Sequence, residues 1–418
     1  MMIIDKQHYV LCSHCDLVVE LSDIMIGHKA VCPRCNTILA KNNHDMKFRS
    51  AMYAACSLIM IIVACGFVFI DIRLIGNFIG VSIIDIPKTL FFDKYGYISA
   101  LFILFVLLFP ILNLLITILL CSKLRLTKYR KRDLLIVYKK FQHWCMPEIF
   151  LVGILVSFVK LMSYGNIGVT SAFFAFCLFV FFYIKSLVIF SPEIIWNEIH
   201  RNNFSTDRLK AGKTGISQNI KLCHCCQAIL PVNYKKCPRC KQKSKIRDRY
   251  KIQWTIALLV TSLILYIPAN LFGIMITVVF GSPSTSTIID GVIYMWQSGD
   301  VPVALVIFIA SVVIPILKII SLSWLCYFAL AVKQKNKRNC LKMKKLYTAV
   351  EFIGKWSMID IFVVSVICSL VRNQQMMGVY PDIGVIFFAS VVIITMIASQ
   401  KFDPRLIWDR PRNKKIGQ

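Results

Sequence analysis

The chain has 418 residues, 57% of them hydrophobic, with a formal net charge of +28 and a mean hydropathy of +0.67. That is too apolar for a soluble globular protein of this size. The positive charge invites a nucleic-acid reading, which its distribution along the chain argues against.

The chain opens Met1-Met2-Ile3-Ile4-Asp5 and runs straight into a cysteine motif. No cleaved signal peptide is expected, and the first span should act as an uncleaved anchor. The motif is a pair of Cys-x-x-Cys knuckles, Cys12-Ser13-His14-Cys15 and Cys32-Pro33-Arg34-Cys35. A second pair follows much later, Cys223-His224-Cys225-Cys226 and Cys237-Pro238-Arg239-Cys240. Each pair supplies four thiolates on tight turns, the ligand set of a tetrahedral structural zinc site, so two zinc sites are expected. The same thiolates can hold iron. Four cysteines fill the tetrahedron, leaving no open position for catalysis and no need for His14, His224 or Cys225 as ligands.

Between and after the cysteine motifs lie uncharged apolar stretches long enough to cross a bilayer as helices. The clearest are Ala51–Ile70, Tyr97–Cys121, Trp254–Val279 and Ile383–Gln400. Val301–Val332 is interrupted by Lys318, Phe173–Phe190 contains Lys185, and Ile149–Val159 and Ile361–Val371 are short between charges. Eight spans result, four after each cysteine motif. Leu134–Phe141 reads as an interfacial helix leading to Trp144. The external segment Gly281–Ser286 reads as a flexible loop, and Tyr164-Gly165-Asn166 as a tight hairpin.

The two halves align by offset. Cys32 falls on Cys237 and Pro110-Ile111-Leu112 on Pro315-Ile316-Leu317 at 205 residues. Trp144 falls on Trp356, Glu148 on Asp360, Ser157 on Ser369, Lys160 on Arg372 and Trp196 on Trp408 at 212 residues. The change of register lies in a basic loop, where insertions are tolerated. The reading is an all-α integral membrane protein built as a tandem repeat: zinc ribbon 1–48, four-helix bundle 49–200, zinc ribbon 201–250, four-helix bundle 251–418.

Residues 1–50, 122–143, 197–252, 333–355 and 401–418 carry 42 of the 49 Lys and Arg. The opposite segments hold at most Arg73, Lys88, Lys94, Lys160 and Arg372. This bias places both termini and both ribbons in the cytoplasm and assigns the basic runs to lipid headgroups, not to nucleic acid. Cysteine usage on that reducing side agrees.

Ionisable groups at membrane depth are costly and mark candidate sites. Lys318 sits well inside the sixth span. Glu148 with Lys160, and Asp360 with Arg372, bracket the third and seventh. Lys160 and Arg372 can also be read as snorkelling at the external interface. Twelve residues of helix separate Glu148 from Lys160 by about 18 Å, so neither can pair with the other. Ser157 and Ser369 share a helix face with the basic positions and could extend a polar network. Pro268-Ala269-Asn270 in the fifth span reads as a kink or a substrate-lining break, with Asn270 free to bond across helices. No phosphate loop and no nucleophile with its base is present, so no enzyme activity is expected.

Taken together, paired four-cysteine ribbons each followed by four spans, Trp-x-Met-x-[Glu/Asp]-Ile-Phe opening the third span of each half, and Phe402-Asp403-Pro404-Arg405-Leu406-Ile407-Trp408 resemble the paraquat-inducible protein A family. The first half departs at its close, Phe190-Ser191-Pro192-Glu193-Ile194-Ile195-Trp196, and has Asn113 where the second has Lys318. The resemblance implies a multi-pass protein of the inner membrane of a Gram-negative bacterium. It also implies a periplasmic MCE-domain tunnel protein as partner and phospholipids as cargo. The alternatives are a membrane redox or stress-response protein using iron in the cysteine sites, and a sensor whose ribbons bind a cytoplasmic partner.

Overall fold

The structure, a computed structural model, describes residues 8–22, 24–74, 77–93, 95–162, 166–199, 209–247, 249–279, 282–297, 299, 301–331, 336–370, 372–373 and 377–409. It is mostly helical, and eight of its helices are long and apolar enough to cross a bilayer. The spans are Met46–Gly66, Gly96–Cys121, Lys128–Phe158, Ser171–Ile189, Tyr250–Leu271, Ile309–Ala331, Lys337–Leu370 and Gly384–Lys401; the apolar part of the third is Pro147–Met162 and that of the seventh Ile359–Leu370. Polar helices lead into the third and seventh: Lys128–Phe141, capped by Thr127, and Lys337–Trp356, capped by Asn336. Each cap accepts a hydrogen bond from a first-turn amide, satisfying a donor that the helix itself leaves open.

Two span ends differ from the sequence reading. The first helix stops at Gly66 and Ile70–Leu74 is a strand; the fifth stops at Leu271 and Met275–Val279 is a strand. Met275–Val279 is apolar and continues the hydrophobic run of the helix before it, whereas Ile70–Leu74 ends such a run at Ile70 and carries Asp71 and Arg73. Their β-branched residues suit a pleated sheet, and the sheet, not a helix, satisfies their backbone. Ile70–Leu74 pairs antiparallel with Asn77–Val81 and Asn166–Val169. Met275–Val279 pairs with Ser282–Ser286 and Met377–Pro381. The segment expected as a flexible loop is therefore an edge strand from Ser282 on, with Gly281 outside the described residues. Tyr164 and Gly165 of the expected hairpin also lie outside them, while Asn166 opens a strand. In the first sheet Gly168 is required: a Cβ there would lie 1.9 Å from the Asp71 carboxylate.

The sheets cap the end of the bundle opposite the cysteine motifs. Within the bundle the first span packs along the fourth and the fifth along the eighth. The third and seventh cross at the centre, where a Cβ on Gly153 would come 3.3 Å from Cβ of Phe362. Phe102, Phe150 and Phe362 meet there edge to face, with ring centroids 4.9 to 6.3 Å apart, the arrangement their quadrupoles favour. The second and sixth spans each contain a π-helical turn, Ile103–Leu108 and Ile309–Val313. Each lies just before Pro110 or Pro315. Proline lacks an amide and crowds the preceding turn, and the wider coil relieves both. In the first half the Phe105 carbonyl in this turn accepts the Met146 amide at 3.1 Å.

Candidate functional site

The four knuckles are built alike. The first cysteine's carbonyl accepts an amide four residues on, from Asp16, Asn36, Gln227 and Lys241, at 2.8 to 3.0 Å. The first cysteine's amide donates to the carbonyl five residues on, each at 2.9 Å. The residue after each second cysteine is left-handed, with φ of 58° at Asp16, 55° at Asn36, 55° at Gln227 and 59° at Lys241. None of the four is glycine; Asp and Asn tolerate this region best. The turns bring the thiols together. Sγ of Cys12 lies 3.4 Å from Cys35 and that of Cys15 3.5 Å from Cys32. In the second cluster Cys223 lies 3.5 Å from Cys240 and Cys226 3.6 Å from Cys237. All eight are buried and unbridged, and within each cluster every pair lies within 4.8 Å. A Zn–S bond of about 2.3 Å gives a tetrahedron edge near 3.8 Å. The clusters could hold one metal ion each.

Each cluster packs against the opposite half of the chain, which the sequence reading did not foresee. The first joins a core with Leu322, Leu325, Tyr347, Phe402 and Trp408; the second joins one with Leu135, Tyr138, Phe190 and Trp196. The contact repeats in detail. Arg34 of the first Cys-Pro-Arg-Cys stacks 4.5 Å over Trp408, and Arg239 of the second lies 5.7 Å over Trp196. Arg239 also donates to the Trp196 carbonyl at 3.2 Å and to Asn197 at 2.7 Å. Lys139 donates to the carbonyls of His224 and Cys225. Arg247 binds both Asp16, at 3.1 Å, and Asp409, at 2.6 Å.

Asp403 and Arg405 close this junction. Arg405 donates to both Asp403 oxygens, at 2.9 and 2.7 Å, and faces His224 Nε2 at 2.9 Å. Burial alone would raise the Asp403 pKa, but the Arg405 hydrogen bonds and charge overcome it and hold the carboxyl at about 2. Folded below its unfolded value, it contributes stability that is complete above about pH 4 and lost as pH falls toward 2. Asp403→Ala would leave Arg405, 2% exposed, as a buried charge without its carboxylate. The expected loss is about 3–5 kcal/mol, read as a lower melting temperature in detergent and less protein in the membrane. An unchanged melt would show that water takes the carboxylate's place.

The membrane-depth residues fall into separate environments. Lys318 is 2% exposed, and its Nζ donates to the Gly354 carbonyl at 3.4 Å. Glu148 lies 3.9 Å from Lys355, which comes from the other half. Lys318 and Glu148 thus meet consecutive residues, Gly354 and Lys355, at the end of one lead helix. Asp360 opens the seventh span, partly buried. Ser157 is buried and donates to Gly153 in its own helix at 2.8 Å. Ser369 accepts from Thr89 at 3.1 Å. Asn270 donates to Tyr266 on its own helix at 2.8 Å. The side chains of Lys160 and Arg372 lie outside the described residues. Lys185 lies 5.6 Å from the Phe181 ring. At the position equivalent to Lys318, Asn113 donates to Cys145 Sγ at 3.0 Å. Lys355 and Gly354 were not singled out from sequence, since nothing local marks a surface lysine or a helical glycine as a partner.

The family model of Paraquat-inducible protein A matches residues 48–200 and again 252–412. The chain belongs to the paraquat-inducible protein A family. It is 43% identical over 402 residues to the Intermembrane transport protein PqiA of Escherichia coli (strain K12), covering 96% of each chain. It is 27% identical to the Probable intermembrane transport protein of Haemophilus influenzae (strain ATCC 51907 / DSM 11121 / KW20 / Rd), covering 95% of each. It is also 27% identical to the Lipophilic envelope-spanning tunnel protein A of E. coli (strain K12), covering 96% of this chain and 91% of the other. No solved structure matches. Family membership and eight apolar helices make this a multi-pass membrane protein of the bacterial envelope, and these relatives are named as transport or tunnel proteins, not as enzymes.

Proposed function

We propose that this paraquat-inducible protein A family member is the inner-membrane subunit of an intermembrane lipid transport system. It would bind phospholipid within its tandem four-helix bundles and exchange it with a periplasmic MCE-domain tunnel protein. The observation that carries the reading is the near-full-length similarity to a relative named an intermembrane transport protein. The geometry supports it. A buried lysine and a carboxylate–lysine pair converge near the crossing of the third and seventh spans, where an anionic headgroup or a proton could be held. The four-cysteine modules are structural zinc ribbons bracing the cytoplasmic face, and their closed ligand sets carry no chemistry on cargo.

The reading is tested by photolabelling purified protein in nanodiscs with a diazirine phospholipid. Label in the spans around Lys318 and Glu148, competed by unlabelled phospholipid, is the expected result. Label confined to the outward faces of the first and fifth spans would describe bulk lipid alone and remove the binding claim.

Orientation is tested independently. The basic segments should be cytoplasmic. In intact spheroplasts a membrane-impermeant thiol reagent should modify cysteines placed at Asp85 or Ser284 and spare those near Lys128 and Lys337. The opposite pattern would invert the topology.

A further inference from the structure

The two cysteine modules differ in the length of one connection. Sixteen residues separate Cys15 from Cys32, and ten separate Cys226 from Cys237. The longer connection joins strands Val18–Leu21 and Lys29–Val31. It closes in a tight turn. The His28 amide donates to the Met25 carbonyl at 3.0 Å, and Gly27 takes φ 85°, a conformation that suits glycine. The turn presents Met25, 76% exposed, and Ile26, 62% exposed, side by side. The shorter connection of the second module is polar and exposed at the corresponding place, Asn233-Tyr234-Lys235-Lys236.

Two neighbouring asparagines fix where this turn sits. The Asn42 carbonyl accepts the Gly27 amide at 2.8 Å, and its side chain donates to the Ile24 carbonyl at 2.7 Å. Asn43 donates to the carbonyl of Ile189, the last residue of the fourth span, at 3.1 Å. Consecutive residues are about 3.8 Å apart, so the turn is held beside a span end. A bilayer has its headgroup layer at that level, about 5–8 Å thick on each side. Lys29 and Lys41 are cross-strand partners immediately behind the turn. Residues 24–49 carry five Lys and Arg against one acid, Asp45.

We infer that the turn Met25–His28 dips into the bilayer surface, with Met25 and Ile26 among the acyl chains and Lys29 and Lys41 on anionic headgroups. Water gives two exposed apolar side chains no favourable partner, and a lipid surface at this depth does. The basic rim behind them favours anionic lipid. The same module packs on Leu322, Tyr347 and Trp408, so the anchor ties the second half to the membrane surface beside the first. The anchor needs only the membrane spans, whatever the protein transports.

The test is photocrosslinking in cells with p-benzoylphenylalanine. Phe48→p-benzoylphenylalanine, exposed at the start of the first span, is the control and should capture phospholipid. Met25→p-benzoylphenylalanine and Ile26→p-benzoylphenylalanine should each capture phospholipid, identified by mass spectrometry. Asn233→p-benzoylphenylalanine should capture severalfold less. Adding Lys29→Glu and Lys41→Glu to the Ile26 variant should lower its lipid adduct severalfold, with protein amount and metal content unchanged. An undiminished adduct there would remove the headgroup pairing. No phospholipid adduct at Met25 or Ile26, with the control positive, would overturn the anchor. Adducts solely to another protein would do the same, as would equal lipid capture at Asn233. Lipid capture at the turn in a protein whose spans take no diazirine label around Lys318 would leave the anchor standing and the transport reading failed.

Discussion

Replacing Cys32 or Cys237 with serine is expected to remove one metal ion and most of the protein from the membrane. Purified wild-type protein should hold about two zinc per chain, one for each tetrahedral four-thiolate site. The free energy of a structural zinc site, about 10–16 kcal/mol in small domains, is comparable to the whole stability of a typical domain, about 5–15 kcal/mol. The crossed packing adds a directional expectation. The first cluster shares a core with Leu322, Tyr347 and Trp408, so Cys32→Ser should open the second half to protease first. The second shares one with Leu135, Tyr138 and Trp196, so Cys237→Ser should open the first half. Arg34→Lys, which weakens the stack on Trp408 and the long hydrogen bond to the Cys15 carbonyl at 3.4 Å but removes no thiolate, should cost about 1 kcal/mol and leave the zinc content unchanged. Metal analysis, immunoblotting and limited proteolysis read all three. Iron as the main metal would favour the redox alternative, and normal folding without two knuckles would remove the structural role.

The cysteine clusters were legible in the sequence because a knuckle is a local object. Two cysteines three residues apart and a left-handed residue after the second fix both the turn and the thiol directions, as at Cys12–Asp16 and Cys237–Lys241. Which half each cluster rests on was not legible. That depends on Arg34 meeting Trp408 and Arg239 meeting Trp196, and spacing along the chain carries no record of contacts between such distant segments. The eight spans were legible from apolar length, but two of their ends were not. Met275–Val279 is as apolar as the helix it follows, and the first span's apolar run leads straight into Ile70; pairing with the next strand and with a distant one, Asn166–Val169 or Met377–Pro381, makes both segments sheet. Lys318 was legible as a charge in an apolar run. Its meeting with Gly354 was not, because a helical glycine announces only that something comes close: here a Cβ would stand 3.3 Å from Cε of Lys318.

Lys318→Ala is expected to leave the amount of protein near normal and to abolish rescue of an envelope-defect phenotype. An ammonium has three donors to satisfy, and the bond to the Gly354 carbonyl at 3.4 Å is long and weak. A fully buried cation so poorly served is a cost to folding, and its removal should be neutral or stabilising if packing is all it provides. Retaining it therefore argues for a role in holding a headgroup or a proton during transport. Gly354→Ala probes the same point without removing the charge. The new methyl would press on Cε at 3.3 Å and Nζ at 3.5 Å, and the flexible lysine tail can yield by shifting. Partial loss of rescue with normal abundance is the expected result for Gly354→Ala, between wild type and Lys318→Ala. Complementation beside a quantitative blot measures both. Full rescue by Lys318→Ala or Lys318→Leu would show a tolerated lysine with no part in transport, and disappearance of the protein would assign it to folding. Loss of rescue at undiminished abundance, graded through Gly354→Ala, is the pattern that a lysine acting on cargo or protons produces and a structural one does not.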